Sequence, residues 1–375
     1  MSLLYLFVAL LASFAVCLLL VRFAHKHSHL TGDNKLSEAQ KFHDSPVPRV
    51  GGLALVVALL VVQPLMLLLE GEALAKVSAL LFLACLPVFL GGLLEDVLKI
   101  GLVKTRLIAM TCGVLLLIYL LDWRIVRVDL PLFSTWLAFT PVSVVLTLIA
   151  IVGMINAMNL IDGYNGLACA VGMIILASLA YIGLQVGDRQ ITVMAVALLG
   201  ACGGFMFWNW PRGLIFLGDG GAYVIGFGIA SLAVGLVMRN PSVSAWYAVV
   251  LLLYPIVETI FTINRRLRRQ EHPGLPDAAH LHQLVYKRMM RWAVGSCKSA
   301  DRRMRNSMTS PYLWLYSSLS IIPASIWWSN ELALQAIAVI FVLGYLWLYR
   351  SIAKFKTPKW LIYRNQRRAD EKDRK

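Results

Sequence analysis

The residue types best suited to chemistry fall into five short polar stretches, each at the end of a long apolar run. They are Arg49; Glu95 and Asp96; Asn156, Asn159 and Asp162; Asp219; and His280 and His282. Carboxylate and amide oxygens are ligands that Mg²⁺ prefers in proteins. Phosphoryl transfer mainly requires a cation, positive side chains and accurate positioning. The five stretches together predict a metal-competent pocket for phosphate chemistry.

The adjacent carboxylates Glu95 and Asp96 repel one another unless a positive charge offsets them. Lys99 lies one helical turn further along and is one source of that charge. A solvated helix end with an internal salt bridge is the alternative, because surface ion pairs are often incidental. We favour a divalent cation site.

Asn156, Asn159 and Asp162 are spaced three residues apart and therefore lie roughly along one helix face. Polar groups next to hydrocarbon are costly unless they face a polar cavity. The two glycines that follow break the helix and leave backbone amides near Asp162 and Asn165. Hydrogen bonding between helices is the alternative, but it explains one asparagine better than three polar groups.

Asp219 is flanked by glycines on both sides at the predicted start of a helix. Small neighbours admit a ligand, and the helix end offers free N–H groups, so the position suits a magnesium ion beside phosphate oxygens. An N-cap role for the aspartate is the alternative.

His280 and His282 lie in the most basic connection of the chain, with Lys287, Arg288 and Arg291 nearby. Histidines and basic side chains in this arrangement can hold a diphosphate or a nucleotide. A solvated histidine pair is the alternative. Zinc is disfavoured because neither a cysteine nor a further ligand cluster completes a tetrahedral set.

The elements that must position these residues are membrane helices, because 59% of the residues are hydrophobic, 15% are charged and the mean hydropathy is +0.72. An all-α polytopic membrane protein follows. Eleven apolar runs are long enough to span a membrane, and we expect the first to be a retained helix. The predicted spans are 2–24, 51–69, 73–94, 107–121, 141–161, 166–186, 191–208, 220–238, 246–264, 311–328 and 332–349.

Lys and Arg are distributed unevenly between alternate connections, with 30 on one side and 5 on the other. The positive-inside rule predicts an external N-terminus, a cytoplasmic C-terminus and all five polar stretches on the cytoplasmic side. The net charge of +15 reflects this bias and attraction to anionic membrane lipids, so we expect no nucleic acid partner. We expect residues 1–350 to form one membrane domain with a basic loop at 265–310, and residues 351–375 to form a basic tail.

The motifs resemble those of the polyprenyl-phosphate N-acetylhexosamine-1-phosphate transferases, glycosyltransferase family 4, which include the phospho-N-acetylmuramoyl-pentapeptide transferases. Residues 46–52 resemble the family's Pro-x-Pro-Arg-x-Gly-Gly element, and residues 95–99 its Asp-Asp-x-x-Lys element. Residues 156–167 resemble its Asn-x-x-Asn-x-x-Asp-Gly-x-Asp-Gly-Leu element. Residues 216–221 and 280–283 resemble its Gly-Asp-x-Gly and histidine elements.

The resemblance implies transfer of an N-acetylhexosamine 1-phosphate from a UDP-sugar to undecaprenyl phosphate, with release of UMP, at the bacterial inner membrane. It implies magnesium, or manganese in its place, and it allows a homodimer. Asp219 and Asn159 would lie at the metal, with Glu95 and Asp96 ordering the metal and the acceptor phosphate. The resemblance assigns the substrates to Arg49, Lys99, Asn156, Asp162, Asn165, His280 and His282. The product would initiate a cell-envelope polysaccharide such as O-antigen.

The chain departs from the family pattern at three positions. Glu95 stands in place of aspartate and lengthens the arm by one methylene, Asn165 replaces an aspartate and removes a charge, and Gln283 replaces a histidine. Within the family, the peptidoglycan pentapeptide transferases are the alternative. A secondary transporter is the alternative from another class, although transporter sites cluster at the membrane midplane between repeated halves.

Overall fold

The structure is a computed structural model that describes residues 2–24, 47–98, 103–268, 270, 279–290 and 299–354. The chain is an all-α polytopic membrane protein. Its longer helices are α1 (Ser2–Arg22), α2 (Gly51–Glu70), α3 (Glu72–Leu98), α4 (Val103–Leu121), α6 (Thr140–Ile161), α7 (Leu167–Gln185), α8 (Arg189–Asn209), α9 (Gly218–Arg239), α11 (Leu253–Arg268), α13 (Ser299–Ile326) and α14 (Glu331–Ala353). Shorter ones are α5 (Pro131–Leu137), α10 (Ala245–Leu251) and α12 (Leu281–Leu284), the last followed by a π-helical turn at Val285–Met290.

Within the described residues, nine helices are long and apolar enough to span a membrane. The run predicted at 246–264 is not one straight span, because α10 and α11 meet at an angle of 69° and form at most one broken span. The predicted span 311–328 lies in α13, which is not among the helices that pass this test. The serines spaced along this helix reduce its hydropathy. Of the eleven predicted spans, nine pass this test in the part of the chain that the structure describes, or ten if the bent pair is one span.

Polar side chains set where several helices begin. Asp188 caps α8 by accepting the backbone N–H of Ile191, and Ser244 caps α10 by accepting that of Trp246. Asn330 caps α14 in the same way through Ala333. Such caps satisfy N–H groups that have no partner within their own helix.

Helix α9 is the centre of the bundle, and 89% of its most apolar 18-residue window is buried. It packs closely against α2 and α3 through glycines. A Cβ built on Gly92 would lie 2.5 Å from the Cα of Gly220, and one built on Gly52 would lie 2.6 Å from the Cα of Gly221. Small residues permit such close helix contacts in membranes. The first turn of α9 is thereby fixed against two neighbouring helices.

The helices define two ends of the bundle. The acidic end contains Asp96 near the end of α3, Asp162 after α6 and Asp219 at the start of α9. The opposite end contains Glu70 at the end of α2 and Asp188 before α8. These assignments agree with the alternating directions of successive helices. Lys99, much of the 265–310 loop and residues 355–375 lie outside the described residues.

Candidate active site

Asp96 joins α3 to the first turn of α9. Its two carboxylate oxygens each accept a backbone N–H at 3.0 Å, one from Asp219 and the other from Gly220. These are N–H groups that a helix start leaves without partners in its own helix. The N-cap position of α9 is Leu217, which makes no side-chain capping bond, so Asp219 itself is not the cap. The capping function proposed as the alternative for Asp219 is performed by Asp96.

Asn159 and Asp219 are in direct contact. The amide nitrogen of Asn159 donates to Oδ1 of Asp219 at 2.7 Å. This bond uses the nitrogen of the amide and not its oxygen, which is the atom that a hard cation binds. The two residues that the sequence assigned to a metal are therefore neighbours.

Asp162 follows the last residue of α6, and its backbone N–H bonds to the carbonyl of Asn159 at 3.2 Å. Burial is the largest cause that raises the pKa of the Asp162 carboxyl, to about 7. Arg49 opposes this rise, while the carboxylates of Asp219 and Asp96 contribute to it. Like charges that lie close together disfavour ionisation in this way. Three aspartates that are far apart in sequence thus interact at one end of the bundle.

Arg49 is held beside this cluster by its own chain segment. Phe216 donates its backbone N–H to Pro48 at 2.9 Å, and Gly51 and Gly52 donate theirs to the carbonyls of Phe216 and Leu217 at 3.0 and 2.9 Å. The segment before α2 is therefore tied to the segment before α9. This connection places the charge of Arg49 within electrostatic range of Asp96 and Asp162.

Glu95 differs from its neighbour Asp96. Its carboxylate accepts a hydrogen bond from the hydroxyl of Tyr223 at 3.2 Å and lies 3.6 Å from the Arg106 guanidinium. Neither partner was predicted from the sequence. Tyr223 is four residues after Asp219 and shares its helix face, which is a signal that could have been used. Arg106 offered no signal beyond its charge.

Asn156 uses its amide nitrogen within the bundle. It donates to the carbonyl of Val152 at 2.8 Å and to the sulfur of Met110 at 3.4 Å. The amide thus packs towards α4. Contact between Asn156 and a substrate stays a prediction.

Asn165 is 5% exposed, and its side chain donates to the carbonyl of Pro211 at 3.3 Å. The turn that carries it is fixed by a group of four residues that we call the loop clamp: Asn209, Asn306, Ser310 and Trp314. Asn306 accepts the backbone N–H of Asn165 at 2.9 Å, and Ser310 donates to its carbonyl at 2.6 Å. The side chain of Asn165 is therefore covered by protein, and its predicted role in substrate binding stays a prediction.

The rest of the loop clamp holds Gly166. Asn209 accepts its backbone N–H at 2.5 Å, and Trp314 donates to its carbonyl at 3.1 Å. Gly166 has a φ of +73°, a left-handed conformation that favours glycine. No motif indicated the loop clamp, because three of its members lie on α13 and pair with a turn more than 140 residues away.

The histidines are placed beside the Asp162 turn. Their rings stack in parallel with centroids 5.1 Å apart, and His280 and His282 are only 8% and 2% exposed. The His282 ring lies 5.7 Å from that of Tyr164, between centroids. Arg288, expected to add charge for phosphate, instead donates to the carbonyls of Ile352 and Ala353 at the end of α14.

The donor set at the acidic end suits magnesium. The described part of the chain holds no group of three or more His, Cys, Asp or Glu side chains arranged around one point as a metal cage. Magnesium does not require one, because it is usually bound by one or two carboxylates together with water and substrate phosphates. Asp219 and the amide oxygen of Asn159 supply hard oxygen ligands of that kind.

Fold and site together define a multi-pass membrane protein with an acidic cluster at one end of its helices. The sequence profile of glycosyl transferase family 4 matches residues 78–237. That match includes Glu95 and Asp96 on α3, Asp162 after α6, and most of α9 with Asp219. This match and the relatives described next support the resemblance of the chain to the polyprenyl-phosphate N-acetylhexosamine-1-phosphate transferases.

Individual relatives support the same assignment. A probable undecaprenyl-phosphate N-acetylglucosaminyl 1-phosphate transferase of Bacillus subtilis (strain 168) is 28% identical over 249 residues, 65% of this chain and 66% of the relative. An undecaprenyl-phosphate alpha-N-acetylglucosaminyl 1-phosphate transferase of Thermotoga maritima is 26% identical over 259 residues, 68% of this chain and 73% of the relative. A phospho-N-acetylmuramoyl-pentapeptide-transferase of Heliobacterium modesticaldum is 32% identical over 218 residues, 54% of this chain and 65% of the relative. The chain thus spans about two thirds of the length of the first of these relatives.

Proposed function

We propose that the acidic end transfers an N-acetylhexosamine 1-phosphate from a UDP-sugar to undecaprenyl phosphate. The observation that carries the proposal is the contact network in which Asp96 holds the start of α9 while Asn159 bonds to Asp219. Two relatives are named as N-acetylglucosaminyl 1-phosphate transferases, which supports UDP-N-acetylglucosamine as the donor. The bacterial inner membrane, with the acidic end facing the cytoplasm, is part of the proposal.

The reaction exchanges one phosphorus–oxygen bond for another. An oxygen of the lipid phosphate attacks the phosphorus that bears the sugar, and the bond from that phosphorus to the oxygen of the UMP phosphate breaks. UMP leaves with that oxygen, and undecaprenyl-diphospho-sugar is formed. Because the transition state places negative charge on several oxygens, positioning and electrostatic stabilisation provide most of the catalysis.

The protein's own contribution is to hold charges in place. Asp96 fixes the first turn of α9 and so sets the direction of the Asp219 carboxylate. Asp219 and Asn159 would hold Mg²⁺, which supplies positive charge for the diphosphate when bound. Arg49 adds a fixed positive charge at the same end, and the loop clamp holds the turn that carries Asp162.

The test is UMP release by the purified protein supplied with undecaprenyl phosphate and, separately, each of several UDP-sugars. We expect release with a UDP-N-acetylhexosamine, and none when undecaprenyl phosphate is omitted. UDP-N-acetylmuramoyl-pentapeptide belongs in the same panel, because the Heliobacterium relative is named for that reaction. Turnover of that substrate alone would move the proposal to the peptidoglycan branch. Counterflow of labelled substrate without UMP release would favour a transporter.

A further inference from the structure

Glu258 on α11 is a fully buried carboxylate, with 0% of the residue exposed. The mechanism described so far does not use it. A buried carboxylate is destabilising unless hydrogen bonds and positive charges compensate it. Oε1 of Glu258 accepts the backbone N–H of Leu281 at 2.8 Å, and Oε2 accepts the hydroxyl of Tyr345 at 2.9 Å. The same Oε1 lies 3.5 Å from Nδ1 of His280 and 3.9 Å from Nδ1 of His282. One carboxylate therefore contacts or approaches the whole histidine segment.

The histidine segment is held from two helices. On α11, Thr262 lies one turn after Glu258, and its hydroxyl is 3.0 Å from Nδ1 of His280. The carbonyl of Ala279 accepts hydrogen bonds from Arg265 at 2.7 Å and from Tyr349 on α14 at 3.1 Å. The segment is therefore ordered against α11 and α14 before it meets any substrate.

On its other side, the segment meets the turn that carries Asp162. A Cβ built on Gly163 would lie 3.0 Å from Nε2 of His282, so this ring packs directly against the glycine that follows Asp162. Tyr164 contacts the same ring edge-on. Contacts thus run without a gap from Glu258 through the histidines to the Asp162–Gly163 turn.

We propose that Glu258 is a positioning residue that holds His280 and His282 against the Asp162–Gly163 turn and thereby sets the donor-binding geometry. This inference rests on the proposed function and adds that the Asp162–Gly163 turn binds the UDP-sugar. Glu258 does not touch the reacting atoms. Loss of Glu258 is expected to raise the KM for the UDP-sugar and to leave the KM for the lipid acceptor unchanged.

The first test is Glu258→Gln, which keeps the shape of the side chain and removes its charge. We expect the KM for the UDP-sugar to rise about 10- to 100-fold, while the KM for undecaprenyl phosphate stays unchanged. The matched control is Glu70→Gln at the opposite end, where Glu70 also accepts a tyrosine hydroxyl, that of Tyr5 at 3.0 Å. Both KM values of this control are expected to equal those of the wild type.

The second test is a double-mutant cycle with His282→Ala. If Glu258 acts through the histidines, the doubly substituted protein is no worse than His282→Ala alone, because residues of one network are not additive. Tyr345→Phe keeps the ring, removes only the hydroxyl bond to Glu258, and takes the place of Glu258→Gln in the cycle if the latter does not fold.

Several results would overturn the inference while the proposed function stands. They are an active wild type whose Glu258→Gln variant behaves like Glu70→Gln, a fall in kcat with both KM values unchanged, and additive losses in the cycle. A folded wild type that releases no UMP from any UDP-sugar overturns the proposed function itself, and this inference with it.

Discussion

The two ends of the bundle use the same residue type in opposite ways. At the opposite end, burial raises the pKa of Asp188, but hydrogen bonds from Arg239, Asn240 and the Ile191 backbone outweigh it and leave the pKa below its ordinary value. At the acidic end, burial and neighbouring carboxylates raise the pKa of Asp162 to about 7, against the influence of Arg49. The protein stabilises Asp188 as an anion, whereas it does not stabilise the anion of Asp162.

The same contrast extends to the neighbours of these two residues. At the opposite end, Glu70 pairs with Arg189, and Asp129 pairs with Arg127 at 3.2 Å. At the acidic end, the hydrogen bonds that reach Asp96 and Asp219 within the described chain come from backbone N–H groups and an asparagine amide. The opposite end is a closed set of ion pairs that secures helix ends. The acidic end retains negative charge that a bound cation can neutralise.

The largest expected effect is that of Asp219→Ala. We expect transfer to fall by at least about 10²- to 10³-fold, because the variant removes the carboxylate proposed to hold the cation. The protein should still be extractable and folded, since Asp219 is at a helix start and not in the apolar core. UMP release and thermal unfolding are the measurements. Full activity in purified membranes would refute the metal assignment.

Asn306→Ala tests the loop clamp at the acidic end. The change leaves the buried backbone N–H of Asn165 without its acceptor, which destabilises the fold by about 1–3 kcal/mol. Because the Asp162 turn would shift, we expect kcat/KM for the UDP-sugar to fall about tenfold. The control is Asn330→Ala, which removes an exposed bond of the same type, from the N–H of Ala333, at the start of α14. Equal activity of the two variants would contradict a role for the loop clamp in the site.

Arg239→Ala tests the opposite end. Asp188, whose side chain is 2% exposed, would keep its bonds to Asn240 and Ile191 but lose the ion pair at 2.8 Å. We expect a loss of about 1–3 kcal/mol in the free energy of unfolding, with kcat and both KM values unchanged in the protein that remains folded. A fall in kcat without a change in unfolding temperature would mean that this end also takes part in the reaction.

The smallest expected effect is that of Asn165→Asp, which restores the aspartate of the family pattern. The new carboxylate would lose the donor that now bonds to Pro211 and would face that carbonyl instead. We expect a two- to tenfold loss of kcat/KM, which corresponds to the net free energy of about one hydrogen bond. A gain in activity would show that a carboxylate at this position contacts the substrate.

Local sequence predicted which acidic and amide residues lie together, because these residues are in short motifs. Asn159, Asp162 and Asp219 sit in two such motifs, and the structure brings them together as expected. The capping role of Asp96 was not predictable, because it depends on how α3 and α9 pack. Asn306 and Ser310 were missed for the same reason. Glu258 did carry a signal, since an ionisable residue inside an apolar run is a functional candidate by default.

The fold was predictable in class and less so in detail. Apolar runs identified the membrane helices, but a continuous run gives no sign of the 69° bend between α10 and α11. The run at 311–328 was predicted to be a span, although four serines are distributed through it. Hydropathy thus located helices better than it distinguished the helices that are apolar enough to span a membrane from those that are not.

The most direct test of the central claim is UMP release from UDP-N-acetylglucosamine and undecaprenyl phosphate before chelation, after thorough chelation, and after Mg²⁺ is restored. Wild-type protein and Glu70→Gln are predicted to lose activity with the chelator and regain it with Mg²⁺, and Asp219→Ala is predicted to stay inactive throughout. Unchanged rates after chelation, or equal metal responses of Asp219→Ala and the wild type, would contradict the claim that the acidic end is a magnesium-dependent transferase site.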